Sequence, residues 1–349
     1  MFGRRGSSPQ LALALQGGGT HGAFTWGALD ALLERSPAEI RAISGTSAGA
    51  VNAVVLADGL LRGGRDAARE ALDAFWRALG QAIPWDALGL ARNGDRLSPA
   101  GRLLLQWSQI FSPAQRNPLQ LDPLRDLLAK RVDFERLRRQ SRLRLHLAAT
   151  QANTGRLRIF SGADLSLEAV LASACLPMVQ KAVPIDGEPY WDGGYSANPA
   201  LTPLLGDAHT RDILVVMLSP WSLGDEPTTA DEIRTRATEI AFNATFLREM
   251  RLLADATAIA RKAWLPGPLE RQLRRVRWHL VDGHDALAAM PPDSKLVAHP
   301  QLLERLREAG RRRALDWLER HGTAIGRKGS ADIAALFGDH TAPLRSPGP

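Results

Sequence analysis

Short apolar runs alternate with helical patterns along most of the chain. LALAL at 11–15 reads as a buried strand and the amphipathic stretch 24–34 as a helix. RAIS at 41–44 reads as a second strand and 48–60 as a second helix. That alternation predicts a parallel sheet with crossover helices. RLRLHLAAT at 142–150 and RLRIF at 156–160 flank Asn153-Thr154-Gly155, the pattern of a hairpin with a short turn. DILVVMLSP at 212–220 and VRWHLVDG at 276–283 add strands, and long helical patterns cover 230–261 and 300–319. The segment 84–123, rich in Pro, Gly, Asn and Trp with an apolar piece at 103–111, breaks this rhythm. It reads either as a packed insertion or as a cap over an apolar cleft. Pro266-Gly267-Pro268 is too short for a linker, so 221–340 is expected to extend the α/β domain of 11–220, with frayed tails at 1–9 and 341–349.

Composition narrows the class. At roughly 150 residues per domain, 349 residues suggest two domains, although one large α/β domain also fits. Contents of 45% hydrophobic and 23% charged residues exclude a disordered chain, a fibre or a disulfide scaffold. The single cysteine, Cys175, allows no intramolecular disulfide, and no secretion signal is visible, so a cytoplasmic protein is expected. The aliphatic run 213–218 is far below the roughly 18 residues of a membrane span.

The net charge of +7 is carried almost entirely by arginine, and two windows, 125–144 and 246–280, each hold eight Arg or Lys against three acids. Such windows attract phosphates on an anionic membrane surface or on nucleic acid, or they simply solvate helix faces. No zinc spacing or aromatic nucleic-acid module accompanies them, so nucleic acid is not expected as a partner.

Three motifs carry candidate chemistry. QGGGTHG at 16–22 lies between the first strand and the first helix, and Gly17, Gly19 and Gly22 spell G-x-G-x-x-G. A dinucleotide-binding turn would also want an acidic residue at the end of the second strand, where Ser44-Gly45 stands instead. The other use of such a loop is to aim backbone N–H groups at negative charge developing on a substrate oxygen. The second motif, Gly45-Thr46-Ser47-Ala48-Gly49, is G-x-S-x-G between a strand and a helix, the context of a nucleophile elbow. There the Ser47 hydroxyl would project at a helix N-terminus, or it would merely cap that helix. The third motif, Asp192-Gly193-Gly194, places an acid before two glycines, either as a base for the serine or as a cap on its own turn. Of the eight histidines, His21 lies in the glycine loop. The other seven have no motif around them, and none declares itself a base.

Taken in order, QGGGTHG at 16–22, GTSAG at 45–49, ASACLP at 172–177 and DGG at 192–194 make the chain resemble a patatin-like phospholipase over roughly residues 11–220. The resemblance implies a three-layer α/β/α fold with a central, mostly parallel sheet. It also implies a Ser-Asp dyad in place of a triad. Carried over, Ser47 is the nucleophile, Asp192 the proton acceptor, and the amides of Gly17, Gly18 and Gly19 the oxyanion hole. Gly22, Gly45, Gly49, Gly193 and Gly194 support the turns. Where the family commonly has Arg or Lys the chain has His21, which would make a positive charge there depend on pH. The expected activity is hydrolysis of fatty acyl esters through an acyl-enzyme, with no cofactor, no metal and no calcium requirement. The expected partner is a lipid or fatty acyl ester, with peripheral contact to an anionic membrane surface as one reading of the basic windows. An acyltransferase using the same serine, a nucleotide binder and a non-catalytic lipid-binding module are the alternatives.

Overall fold

The computed structural model describes residues 8–92, 94–101, 122–177, 179–206, 210–219, 221, 226–288 and 290–338. The apolar piece at 103–111 lies outside the described residues, as do most of the tails. The strands are β1 (Gln10–Leu15), β2 (Glu39–Thr46), β3 (Ala91–Arg92), β4 (Arg96–Leu97), β5 (Arg144–Gln151), β6 (Leu157–Ser161), β7 (Val183–Ile185), β8 (Glu188–Asp192), β9 (Asp212–Met217) and β10 (Arg277–Asp282). Among the described residues the α-helices of five or more residues are α1 (Gly22–Arg35), α2 (Ala48–Gln81), α3 (Pro123–Arg131), α4 (Phe134–Gln140), α5 (Leu167–Ser173), α6 (Ala230–Lys262), α7 (Pro268–Arg275), α8 (Pro300–His321) and α9 (Ile333–Phe337).

The sheet runs β10-β9-β1-β2-β5-β8-β7, with β6 also paired to β5. The pairings from β10 through β5 are parallel, and those of β6, β7 and β8 are antiparallel. Alternation along β1 splits the core between the two faces of the sheet. Leu11, Leu13 and Leu15 pack with α1, α2, α5 and α8, whereas Ala12 and Ala14 pack with Phe246 and Met250 of α6 and with α9. The result is a three-layer α/β/α fold around a mostly parallel sheet.

Two helices differ from the sequence reading. The stretch 24–34 reads as amphipathic, yet residues 22–33 are buried on every side, because α8 covers the face of α1 that points away from the sheet. The two helices cross at glycines. A Cβ on Gly27 would overlap the Arg307 carbonyl, and one on Gly310 would overlap that of Phe24. Gly27→Ala, which would stabilise an exposed helix by about 0.5–1 kcal/mol, is therefore expected to destabilise this protein by about 1–3 kcal/mol or more in urea unfolding. A neutral or stabilising result would mean that α8 does not pack on α1 at this distance. The second helix also continues past 60, through a kink at Gly63 and Gly64, to Gln81.

One feature of the register positions the chemistry. Residues Ala149 and Thr150 of β5 pair with β6 on one edge, so their pairing with β8 uses the other edge, the one that β2 occupies up to Ala148. Thr46 is opposite Ala148 and Asp192 is opposite Ala149. The antiparallel strand β8 thus runs toward the C-terminal end of β2 and stops beside it.

Candidate active site

Ser47 follows the last residue of β2 and precedes the first of α2, with φ 54° and ψ −122°. This is a left-handed conformation that side-chain-bearing residues rarely adopt, and it costs of order 1–3 kcal/mol unless the surroundings impose it. They do impose it. A Cβ on Gly45 would come within 2.6 Å of the Gly49 carbonyl oxygen, and one on Gly49 would overlap the Leu15 carbonyl, so the turn closes against β1 only with glycine at both positions. The Ser47 amide donates to Ser173 Oγ at 3.0 Å, while its side chain makes no capping hydrogen bond to α2. A hydroxyl that caps nothing at a helix N-terminus removes the reading of Ser47 as an ordinary helix cap.

Asp192 ends β8 fully buried. Its Oδ1 accepts the Gly194 N–H at 2.8 Å, so the turn-capping reading holds for one oxygen, with Gly193 and Gly194 forming the turn. The buried Oδ2 has no partner in hydrogen-bonding geometry. The Ser47 hydroxyl is close enough to lower the pKa of the carboxyl, although no hydrogen bond joins the two groups. Burial dominates and raises Asp192 to about 7, against the opposing pull of the Gly194 amide and the Ser47 hydroxyl.

The ASACLP segment joins the two residues. Ser173 holds the Ser47 amide, and the Cys175 carbonyl accepts the Asp192 N–H at 2.8 Å. Thr150 Oγ1 adds a donor to the Asp192 carbonyl at 2.8 Å. The Cys175 thiol itself is inert, pushed up to about 12 by burial and by Asp192.

The glycine loop departs from expectation at one amide. Gly17 N–H donates to Asn198 Oδ1 at 2.6 Å, so it is not a free oxyanion donor. Gly17 instead allows close approach, since a Cβ there would lie 2.7 Å from Ser47 Cβ and 2.9 Å from the Thr46 carbonyl oxygen. Among the described residues the amides of Gly18 and Gly19 have no acceptor. Gly19 sits at φ 59°, opening the turn that leads through Gly22 into α1. Gly17→Ala is expected to lower turnover about 100-fold, because displacing the nucleophile by about 1 Å costs that much. Unchanged turnover in a folded variant would show that the loop does not seat Ser47.

His21 also departs from expectation. Its ring is buried, Nε2 lies 2.8 Å from Ser294 Oγ, and burial, then Lys295, lowers its pKa to about 3. It carries no charge at neutral pH, so pH does not switch one on. Thr20 Oγ1 donates to the Ser294 carbonyl at 2.7 Å, fastening the loop to residues 292–296. Neighbouring Lys295 pairs with Glu239 of α6 at 2.8 Å. Sequence reasoning did not single out Asn198, Ser173, Ser294 or Lys295. Asn198 and Ser173 stand within or just beyond quoted motifs, but nothing local marks the last two.

Among the described residues no group of three or more His, Cys, Asp or Glu side chains is placed to hold a metal ion. The arrangement presents one uncapped hydroxyl, one buried carboxyl with an unpartnered oxygen and two amides without an acceptor among the described residues at the C-terminal ends of β1 and β2, where parallel α/β sheets place their ligands.

A family model described as patatin-like phospholipase matches residues 13–205, more than half of the chain. No curated protein matches it. Among solved structures, VipD from Legionella pneumophila is similar at 14% identity and a TM-score of 0.39, with 90% of this chain and 67% of that one covered. The type III effector ExoU is similar at 17% identity and a TM-score of 0.30, covering 88% and 54%. A full-length ExoU–SpcU complex from the type III secretion system of Pseudomonas aeruginosa gives 18%, 0.29, and coverage of 95% and 82%.

Proposed function

The chain belongs to the patatin-like phospholipase family, and from that premise we propose that it hydrolyses carboxylic esters of fatty acyl chains through Ser47 and Asp192. The observation that carries this reading is the uncapped Ser47 hydroxyl beside the one unpartnered oxygen of a buried carboxylate. In the ionised enzyme Asp192 Oδ2 takes the Ser47 proton as Oγ attacks the ester carbonyl. The Gly18 and Gly19 amides, in the turn that leads into α1, hold the oxyanion. Collapse of the tetrahedral intermediate breaks the bond to the leaving alcohol, which receives the proton from Asp192. A water then gives its proton to Asp192 and attacks the acyl-enzyme, and the Ser47 oxygen leaves with that proton, releasing the fatty acid. An acid held near neutrality suits both halves, because it accepts and returns a proton at the working pH.

The test is labelling with a fluorophosphonate probe followed by peptide mapping, together with product analysis on phosphatidylcholine. Label on Ser47 and release of free fatty acid are expected. An unlabelled native protein, or label elsewhere, would defeat the assignment. Acyl transfer to an added alcohol in preference to water would turn the same serine into that of an acyltransferase.

A further inference from the structure

The corner between α6 and α7 exposes apolar side chains that nothing among the described residues covers. Trp264 is 91% exposed and Leu265 82%, and Ile259 and Leu269 lie exposed on either side of them in the chain. Large apolar side chains left together in water mark a contact surface. The corner is braced. Arg271 donates to the Pro266 carbonyl at 2.6 Å, and Arg274 donates to the carbonyls of Ala260 and Ala263, so the turn presents Trp264 and Leu265 outward.

Charge selects the occupant. Arg261 and Lys262 before the apolar apex and Arg271 and Arg275 after it in the chain are exposed and form no ion pair among the described residues, with Glu270 the only acid between 256 and 281. The other basic window behaves differently. There Arg125, Arg136 and Arg139 pair with Glu168, Asp58 and Glu135, so that window is folded into the protein's own ion pairs. An apolar apex carrying tryptophan and flanked in the chain by exposed cations without ion pairs fits the boundary of an anionic bilayer, where indole sits at headgroup level and cations meet phosphates. Among the described residues no helix is long and apolar enough to cross a membrane, so the contact is peripheral.

We propose that the α6–α7 corner docks the protein on anionic lipid surfaces, with Trp264 and Leu265 entering the interface and Arg261, Lys262, Arg271 and Arg275 meeting lipid phosphates. The choice of a lipid occupant rests on the lipid-hydrolase reading. Phe242 of α6 packs on Tyr195 beside the site, and from there the helix runs about 20 residues, roughly 30 Å, to the corner. Docking and chemistry are therefore separable.

The experiment is co-sedimentation of the Ser47→Ala protein with vesicles of phosphatidylcholine alone and of equimolar phosphatidylcholine and phosphatidylserine. Binding to the anionic vesicles, weakened by salt, is expected. Trp264→Ala/Leu265→Ala should lower it about tenfold with the melting temperature unchanged, and Arg261→Glu/Lys262→Glu should lower it on anionic vesicles alone. Undiminished binding by both variants would overturn the proposal. So would concentration-dependent self-association that the first variant abolishes, which would make the corner an interface between copies of this chain. Since the Ser47→Ala protein is inert under the proposed mechanism, vesicle binding without hydrolysis by the native enzyme would sink the enzymatic reading and leave the docking surface standing.

Discussion

Replacing Ser47 with alanine is expected to lower ester hydrolysis by about 10⁴- to 10⁶-fold, the range seen when the nucleophile of a serine hydrolase is removed. The protein should remain folded, because the hydroxyl caps nothing and the bond from the Ser47 amide to Ser173 Oγ is untouched. The backbone conformation supplies a second, independent reading. At φ 54° alanine is as strained as serine, whereas Ser47→Gly should relieve about 1–3 kcal/mol and raise the melting temperature above that of Ser47→Ala. An inactive glycine variant more stable than both alanine variant and native protein would identify stored strain at the nucleophile. Hydrolysis by Ser47→Ala at the native rate would remove Ser47 from the mechanism, and equal stabilities would place the strain elsewhere.

The second large effect concerns Asp192, where activity and stability should move in opposite directions. Asp192→Asn keeps the shape but cannot accept the Ser47 proton, and a loss on the order of 10⁴-fold in turnover is expected. In the native enzyme kcat/KM should rise with pH and level off above an apparent pKa near 7, since only the ionised carboxylate acts as base. Stability follows the reverse course. The folded state holds the Asp192 proton up to about pH 7, whereas the unfolded chain releases it at the usual 3.8, so folding stability falls as pH rises between those values. That difference corresponds to about 4 kcal/mol above pH 7. Asn carries no such charge. The melting temperature of Asp192→Asn should therefore exceed that of the native protein clearly at pH 8 and little at pH 4. A difference independent of pH would mean that folding does not raise the Asp192 pKa, and retained turnover would mean that another group is the base.

Both effects come from one device, a carboxylate confined where burial opposes its charge and only two groups favour it. Cys175 nearby shows the same environment acting on a thiol, which it holds protonated. His21 shows it acting on an imidazole, which it holds neutral. Three titratable groups around the loop and the turn are thus all pushed toward their uncharged forms, and only Asp192 is brought into the range where proton transfer at neutral pH is efficient.

Local order was legible in the residues themselves. The alternation of leucine and alanine in LALAL marks a strand buried on both faces, and Gly45, Ser47 and Gly49 between a strand and a helix describe a turn whose closure depends on near neighbours. Gly155 between two alternating runs marks the β5–β6 turn for the same reason, its φ of 69° being a conformation glycine adopts freely. What tertiary structure alone decided depends on partners far away in the chain. Ser47 and Asp192 are separated by more than 140 residues, and they meet because β8 pairs with β5 one residue beyond the point where β2 leaves it. No spacing encodes that register. The Gly17 amide looks like those of Gly18 and Gly19 until Asn198 takes it, and α1 looks amphipathic until α8 covers its outer face. The pKa of Asp192 is likewise a property of enclosure, not of residue type. Periodicity and turn chemistry act over a few residues and so survive in the sequence, whereas burial, pairing register and the fate of a single N–H are settled only when distant segments close upon one another.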